Sequence, residues 1–154
     1  MDASMTQVLA APVGRDTPRD QASTTSTGSV LRCTLWPSPE MLPRIRAIVR
    51  THLALWRREE LAETACVGVS ELLTNVMQHV GGNQMATLFV HCLPEGIQVS
   101  VADSDAKLPK VQSPDPLQEN GRGLLLLTGE AKEWGVEPTP NGKIVWFLLV
   151  RGKQ

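Results

Sequence analysis

The sequence predicts an α+β fold: a mixed, largely antiparallel sheet of about five strands carrying about three helices on one face. Three observations lead there. Residues 41–56 and 61–80 repeat apolar side chains at close to the helical period, one stretch directly after the other. Residues 86–93 and 97–103 are short β-prone runs around Pro94-Glu95-Gly96, a hairpin signal. The unbroken apolar run 144–150 follows a turn-rich stretch and reads as a strand covered on both faces.

In chain order, residues 1–29 are rich in Ala, Ser, Thr, Asp and Pro and show no sustained apolar period, so a flexible tail is expected there. One domain over residues 30–154 follows. Val30 to Trp36 reads as a strand, and Ser38-Pro39-Glu40 starts a helix, with a capping hydroxyl, proline at the first position and an acid in the first turn. The buried stripe of this helix is Met41, Leu42, Ile45, Ile48, Val49, Leu53 and Trp56. Arg44, Arg46, Arg50, Arg57 and Arg58 make its other surface basic, as a solvated face or as a dock for an acidic partner. The second helix buries Leu61, Ala65, Val69, Leu72, Leu73, Val76 and Val80, and Gly81-Gly82 ends it. After the hairpin, residues 107–120 are polar and proline-rich, long for a loop inside a domain and typical of a lid. A short helix from Leu124 to near Lys132 and strands at 134–137 and 143–150, joined by a turn at 138–142, complete the order β, α, α, β, β, α, β, β.

Composition narrows the function. The chain has 154 residues, 42% of them hydrophobic, enough for one ordinary core. Fifteen basic residues against 16 acidic ones leave a net charge of -1 and no general pull toward nucleic acid or anionic membranes. The longest apolar run falls far short of the roughly 20 residues that span a bilayer, and no secretory signal is evident, so a cytoplasmic location is expected. Cys33, Cys66 and Cys92 lack paired metal-site spacing and read as reduced core thiols.

Three features could carry chemistry. Glu71 and Asn75 lie one turn apart on the second helix, with His79 a further turn along, so an acid and an amide share a stripe suited to Mg²⁺ and to orienting a hydroxyl. An ordinary polar helix surface is the plainer reading of that pair. In the strand 97–103, Ile97, Val99 and Val101 share one face, and alternation puts Asp103 on that inward side. A buried carboxylate needs donors, and the exocyclic amine of adenine would serve; a turn cap is the alternative. Gly121-Arg122-Gly123 enters a helix, where backbone amides and the helix dipole favour a phosphate.

Taken together, Glu71-Leu-Leu-Thr-Asn75, Val101-Ala-Asp103-Ser-Asp105 with Pro109, and Glu119-Asn-Gly121-Arg-Gly123-Leu124 resemble, in order, the boxes of the GHKL (histidine-kinase-like) ATPases. The chain is most similar to the single-domain serine kinases and anti-sigma factors of bacterial partner-switching systems, with Trp134-Gly135 and Gly142-Lys-Ile-Val-Trp146 extending the match. The resemblance implies a Bergerat-type two-layer sandwich that binds ATP and Mg²⁺. It makes Asn75 the metal-holding residue and Glu71 the catalytic base. It has Asp103 bond adenine, and it lines the nucleotide site further with His79, Asp105, Pro109, Gly121, Arg122, Gly123 and Leu124 beneath a lid at 107–120. The implied partners are an anti-sigma-factor antagonist, a sigma factor or both, with homodimers common among such proteins and no nucleic-acid or membrane contact. Asp105, Gln78 and Ile144 depart from the pattern, and the extra charge of Asp105 motivates a second reading: a docking module without kinase activity.

Overall fold

The computed structural model describes residues 4–6, 22–79, 85–103 and 129–152. Within them the order is β1 (Ser4–Thr6), β2 (Ala22–Thr27), β3 (Val30–Leu35), α1 (Leu42–Leu55), α2 (Ala62–His79), β4 (Ala86–Leu93), β5 (Gly96–Asp103), β6 (Glu133–Thr139) and β7 (Gly142–Val150). The strands form one antiparallel sheet in the order β1-β2-β3-β4-β5-β7-β6. The α+β two-layer architecture expected from the sequence is therefore the one observed.

Each helix starts where its chemistry directs. A single 3-10 turn, Pro39–Met41, leads into α1, with the Met41 amide donating to the Ser38 carbonyl at 2.9 Å. The Ser38 hydroxyl makes no capping bond, so proline rather than the hydroxyl marks this start. Ile45, Val49 and Leu53 of α1 are buried, as are Ala65, Val69, Leu72, Leu73 and Val76 of α2. They meet Leu31, Cys33 and Leu35 of β3, Leu88 and Val90 of β4, Ile97, Val99 and Val101 of β5, and Phe147 and Leu149 of β7 in one core. Alternation puts those strand residues on a single face of the sheet.

Arginines of α1 and of the turn after it tie elements together. Arg46 donates to the Ser70 hydroxyl at 3.2 Å, and Arg50 pairs with Glu63 at 3.5 Å. Arg58 donates to the Leu93 carbonyl at 2.7 Å and to the Gly96 carbonyl at 3.3 Å, anchoring the β4–β5 hairpin. Arg44 and Arg57 are exposed.

Three expectations need correction. Residues 22–27, expected within a flexible tail reaching Ser29, form β2, paired with β3 from Ala22↔Leu35 to Thr27↔Val30. The β-branched threonines favour the extended chain. Thr24 turns inward and its hydroxyl lies 3.5 Å from the Cys33 sulfur, while Trp56 Nε1 donates to the Gly28 carbonyl at 2.8 Å. Second, β7 is flanked by β5 and β6, yet only its inward residues are covered: Phe147 and Leu149 are buried, whereas Ile144, Trp146 and Leu148 are half-buried. Among the described residues both α-helices pack against one face, so the opposite face shields itself laterally, with Trp146 against the bare backbone of Gly135. Third, residues 129–132, placed by expectation at the end of a short helix, are not helical; residues 124–128 lie outside the described part.

The distance between the two layers is set at Gly68. A Cβ there would overlap the Phe147 ring, so α2 approaches the sheet as closely as a helix without a side chain can. Gly68→Ala should lower stability by about 1–3 kcal/mol through overpacking, measured by urea denaturation. Gly28→Ala, where an added methyl meets nothing within 4 Å, serves as the control and should leave the midpoint unchanged.

Burial also pushes the Cys33 and Cys66 thiols above their ordinary value, against weaker pulls from the Thr24 hydroxyl on Cys33 and from Arg50 and Arg46 on Cys66. Above about pH 8.5 the unfolded chain releases thiol protons that the folded chain retains, so stability should fall as pH rises through that window. Cys33→Ala should flatten part of this slope, read from unfolding midpoints between pH 7 and 10.

Candidate functional site

The stripe Glu71–Asn75 lies on the side of α2 that borders the core, since its helix neighbours Leu72 and Val76 are buried at 7% and 6% exposure. Glu71 and Asn75 are both half-buried. Opposite α2, the period of β5 carries Asp103 to the end of the inward row Ile97, Val99, Val101, and Asp103 itself is 7% exposed. Strand β7 supplies the cross-strand neighbour, because the register pairs Asp103 with Lys143 and Val101 with Val145.

These three elements border a small recess of about 10 Å³, room for about one water, lined by Leu72, Asn75, Val76, Val101, Asp103, Lys143 and Val145. Its walls are apolar and its polar groups are one amide, one carboxylate and one ammonium. Lys143 Nζ donates to Asp103 Oδ2 at 2.7 Å, and the two side chains are 6% and 2% exposed. Such a pair takes two charges out of water together, and each offsets part of the cost of burying the other.

Asn75 and Asp103 thus border one recess. Glu71 sits one turn before Asn75 and is not among the lining residues. The backbone of His79 belongs to the last turn of α2. Asp105, Pro109, Gly121, Arg122, Gly123 and Leu124, with the expected lid at 107–120, lie outside the described residues.

Lys143 is the residue that sequence reasoning missed. Its signal was available: in an inward row ending Phe147, Val145, Lys143, a lysine is as anomalous as Asp103 is at the end of its own row, and two such charges on adjacent strands call for each other. Among the described residues no three His, Cys, Asp or Glu side chains converge on a metal position. A hard cation here would take oxygen from Asn75 and complete its shell from a phosphorylated ligand and water, as Mg²⁺ commonly does.

Residues 35–149 match the histidine kinase-like ATPase domain family, and the chain belongs to that family. It is also 41% identical over 81 residues to an uncharacterised protein of Streptomyces coelicolor, SCO4941, a stretch covering 50% of this chain and 76% of the relative. Among the described residues no helix is long and apolar enough to cross a membrane.

The ion pair makes a stability prediction. Lys143→Met should destabilise the protein by about 3–5 kcal/mol by taking the opposite charge away from a buried carboxylate, and Asp103→Asn should do the same to the ammonium. The double variant should recover most of the loss in a denaturation cycle, which an independent, surface-like pair would not do.

Proposed function

We propose that the chain is an ATP-binding regulatory protein that phosphorylates a serine or threonine of an anti-sigma-factor antagonist and otherwise sequesters a sigma factor. The observation that carries this is the recess where the polar stripe of α2 meets the inward acid of β5, in a chain of the histidine kinase-like ATPase family. Leu72, Val76, Val101 and Val145 set apolar surface beside the carboxylate, and a carboxylate suits an exocyclic amine.

Mg²⁺-ATP would supply the transferable phosphoryl group and the charge neutralisation that its transfer requires. Asn75 offers its amide oxygen to the cation, Asp103 accepts from the base, and Glu71 takes the proton of the attacking hydroxyl. Positioning of this kind is the larger part of what such a transfer demands of a protein. On this reading the chain works in the cytoplasm, where sigma factors act, and a homodimer is a natural assembly for it.

A second reading has its own observation. The carboxylate meant for the base already holds an ammonium, which suits a module that regulates by docking and is indifferent to nucleotide. Two measurements separate them. Mg²⁺-ATP at one hundred times its dissociation constant should stabilise the folded chain by about 2.7 kcal/mol, seen as a raised melting midpoint. Radiolabel from the γ-phosphate should pass to an antagonist protein, and Glu71→Ala should reduce the transfer by about a hundredfold or more while leaving ATP binding intact. A melting midpoint that ignores Mg²⁺-ATP sinks the nucleotide reading; binding without label transfer in any antagonist mixture leaves the docking module.

A further inference from the structure

We propose that Lys143 is an internal latch on the recess: its ammonium stands where the exocyclic amine of an adenine nucleotide would stand against Asp103, and nucleotide binding requires it to withdraw. The inference rests on the nucleotide-binding reading above and concerns how that site is opened.

The recess of about 10 Å³ holds about one water, far less than a purine ring, so a base enters only if a lining side chain moves aside. Most of the lining is pinned. Leu72 and Val76 belong to a helix whose height is set by Gly68 against the Phe147 ring. Val101 and Val145 are cross-strand partners in the ladder of β5 and β7. Lys143 differs from them, because a four-carbon stem tipped by an ammonium can carry its charge to water without any movement of the backbone. It is the second residue of β7, two positions after the exposed Asn141 of the turn, so its end of the strand is close to solvent. Its withdrawal clears the space of the stem and, with it, the Oδ2 position of Asp103 that the ammonium holds at 2.7 Å.

The carboxylate couples the latch to the ligand. With no ligand present, withdrawal takes the opposite charge away from a carboxylate whose side chain is 2% exposed, so the closed pair prevails. An adenine amine arriving at Oδ2 restores a donor there, while Lys143 regains its hydration outside. A neutral amine is the weaker donor of the two, so the exchange lowers affinity, and the remaining contacts of the nucleotide supply the difference. A protein that must open before it binds has its apparent dissociation constant raised by the inverse of the open fraction. Adenine nucleotides are therefore held more weakly than the opened site would hold them. A base without the amine finds Oδ2 still taken.

The test follows the reactivity of Lys143 in the full chain toward an amine-acetylating reagent, read by peptide mass spectrometry with the exposed Lys132 as internal reference. Saturating Mg²⁺-ATP should raise the Lys143 rate about tenfold or more relative to Lys132, as a mostly closed latch becomes mostly open. Purine riboside triphosphate, which has the ring but lacks the 6-amino group, should leave it near the ligand-free rate at equal occupancy. Lys143→Ala, which removes stem and charge together, should bind Mg²⁺-ATP about tenfold or more tightly than the unaltered chain. Should that variant fail to fold, the acetylation series on the unaltered chain decides alone. ATP binding, seen as a raised melting midpoint, with Lys143 as protected as before would overturn the latch and leave the nucleotide site standing. An equal rise with purine riboside triphosphate, or a folded Lys143→Ala that binds ATP no more tightly, would overturn it too. Failure of the unaltered chain to bind Mg²⁺-ATP would remove the site and this inference together.

Discussion

A β-strand can put only every second side chain into a core, and in β5 that rule organises the molecule. Ile97, Val99 and Val101 commit one face of the strand to the helices, and Asp103, the next residue of the same parity, has no choice of side. A one-residue slip that spared the acid would expose the whole apolar row. The core thus holds the carboxylate at its rim, and β7 must answer it. In the antiparallel register the residue opposite Asp103 is Lys143, which is carried inward by the same parity that buries Phe147 and Leu149. The ion pair is a consequence of hydrophobic pairing two and four residues away.

The helical layer is subject to a matching constraint. With Gly68 against the Phe147 ring, the height of α2 over the sheet is fixed near the centre of the helix, and the turns that follow carry Leu72, Asn75 and Val76 over the end of β5 and β7. Leu72 and Val76 close the apolar walls, while Asn75 lies on the adjoining stripe and reaches the same recess. Strand parity delivers the carboxylate and helix periodicity delivers the amide. Their meeting follows from how close the layers stand.

Much of this was legible without coordinates because it depends on period. The buried stripes of α1 and α2, the hairpin 86–103 and the inward turn of Asp103 are all read by counting residues. What escaped counting depended on a neighbour. The segment Ala22–Thr27 is polar and looks like a tail by composition, and it is held as a strand by its bonds to β3 and by the Trp56 contact at the hairpin turn. The outer residues of β7 look central by their hydrophobicity, and they are half-buried because β5 and β6 flank them while the second face has no helix over it among the described residues. Lys143 was anomalous by strand parity, but its partner could be named only once β7 was known to lie beside β5.

A buried pair at the base of the recess changes what each residue can be said to do. Asp103 read alone is an acceptor waiting for an amine. Held by Lys143, it is half of a neutral unit whose separation costs more than most single hydrogen bonds return. The same coupling means that replacing either residue perturbs β5 and β7 at once.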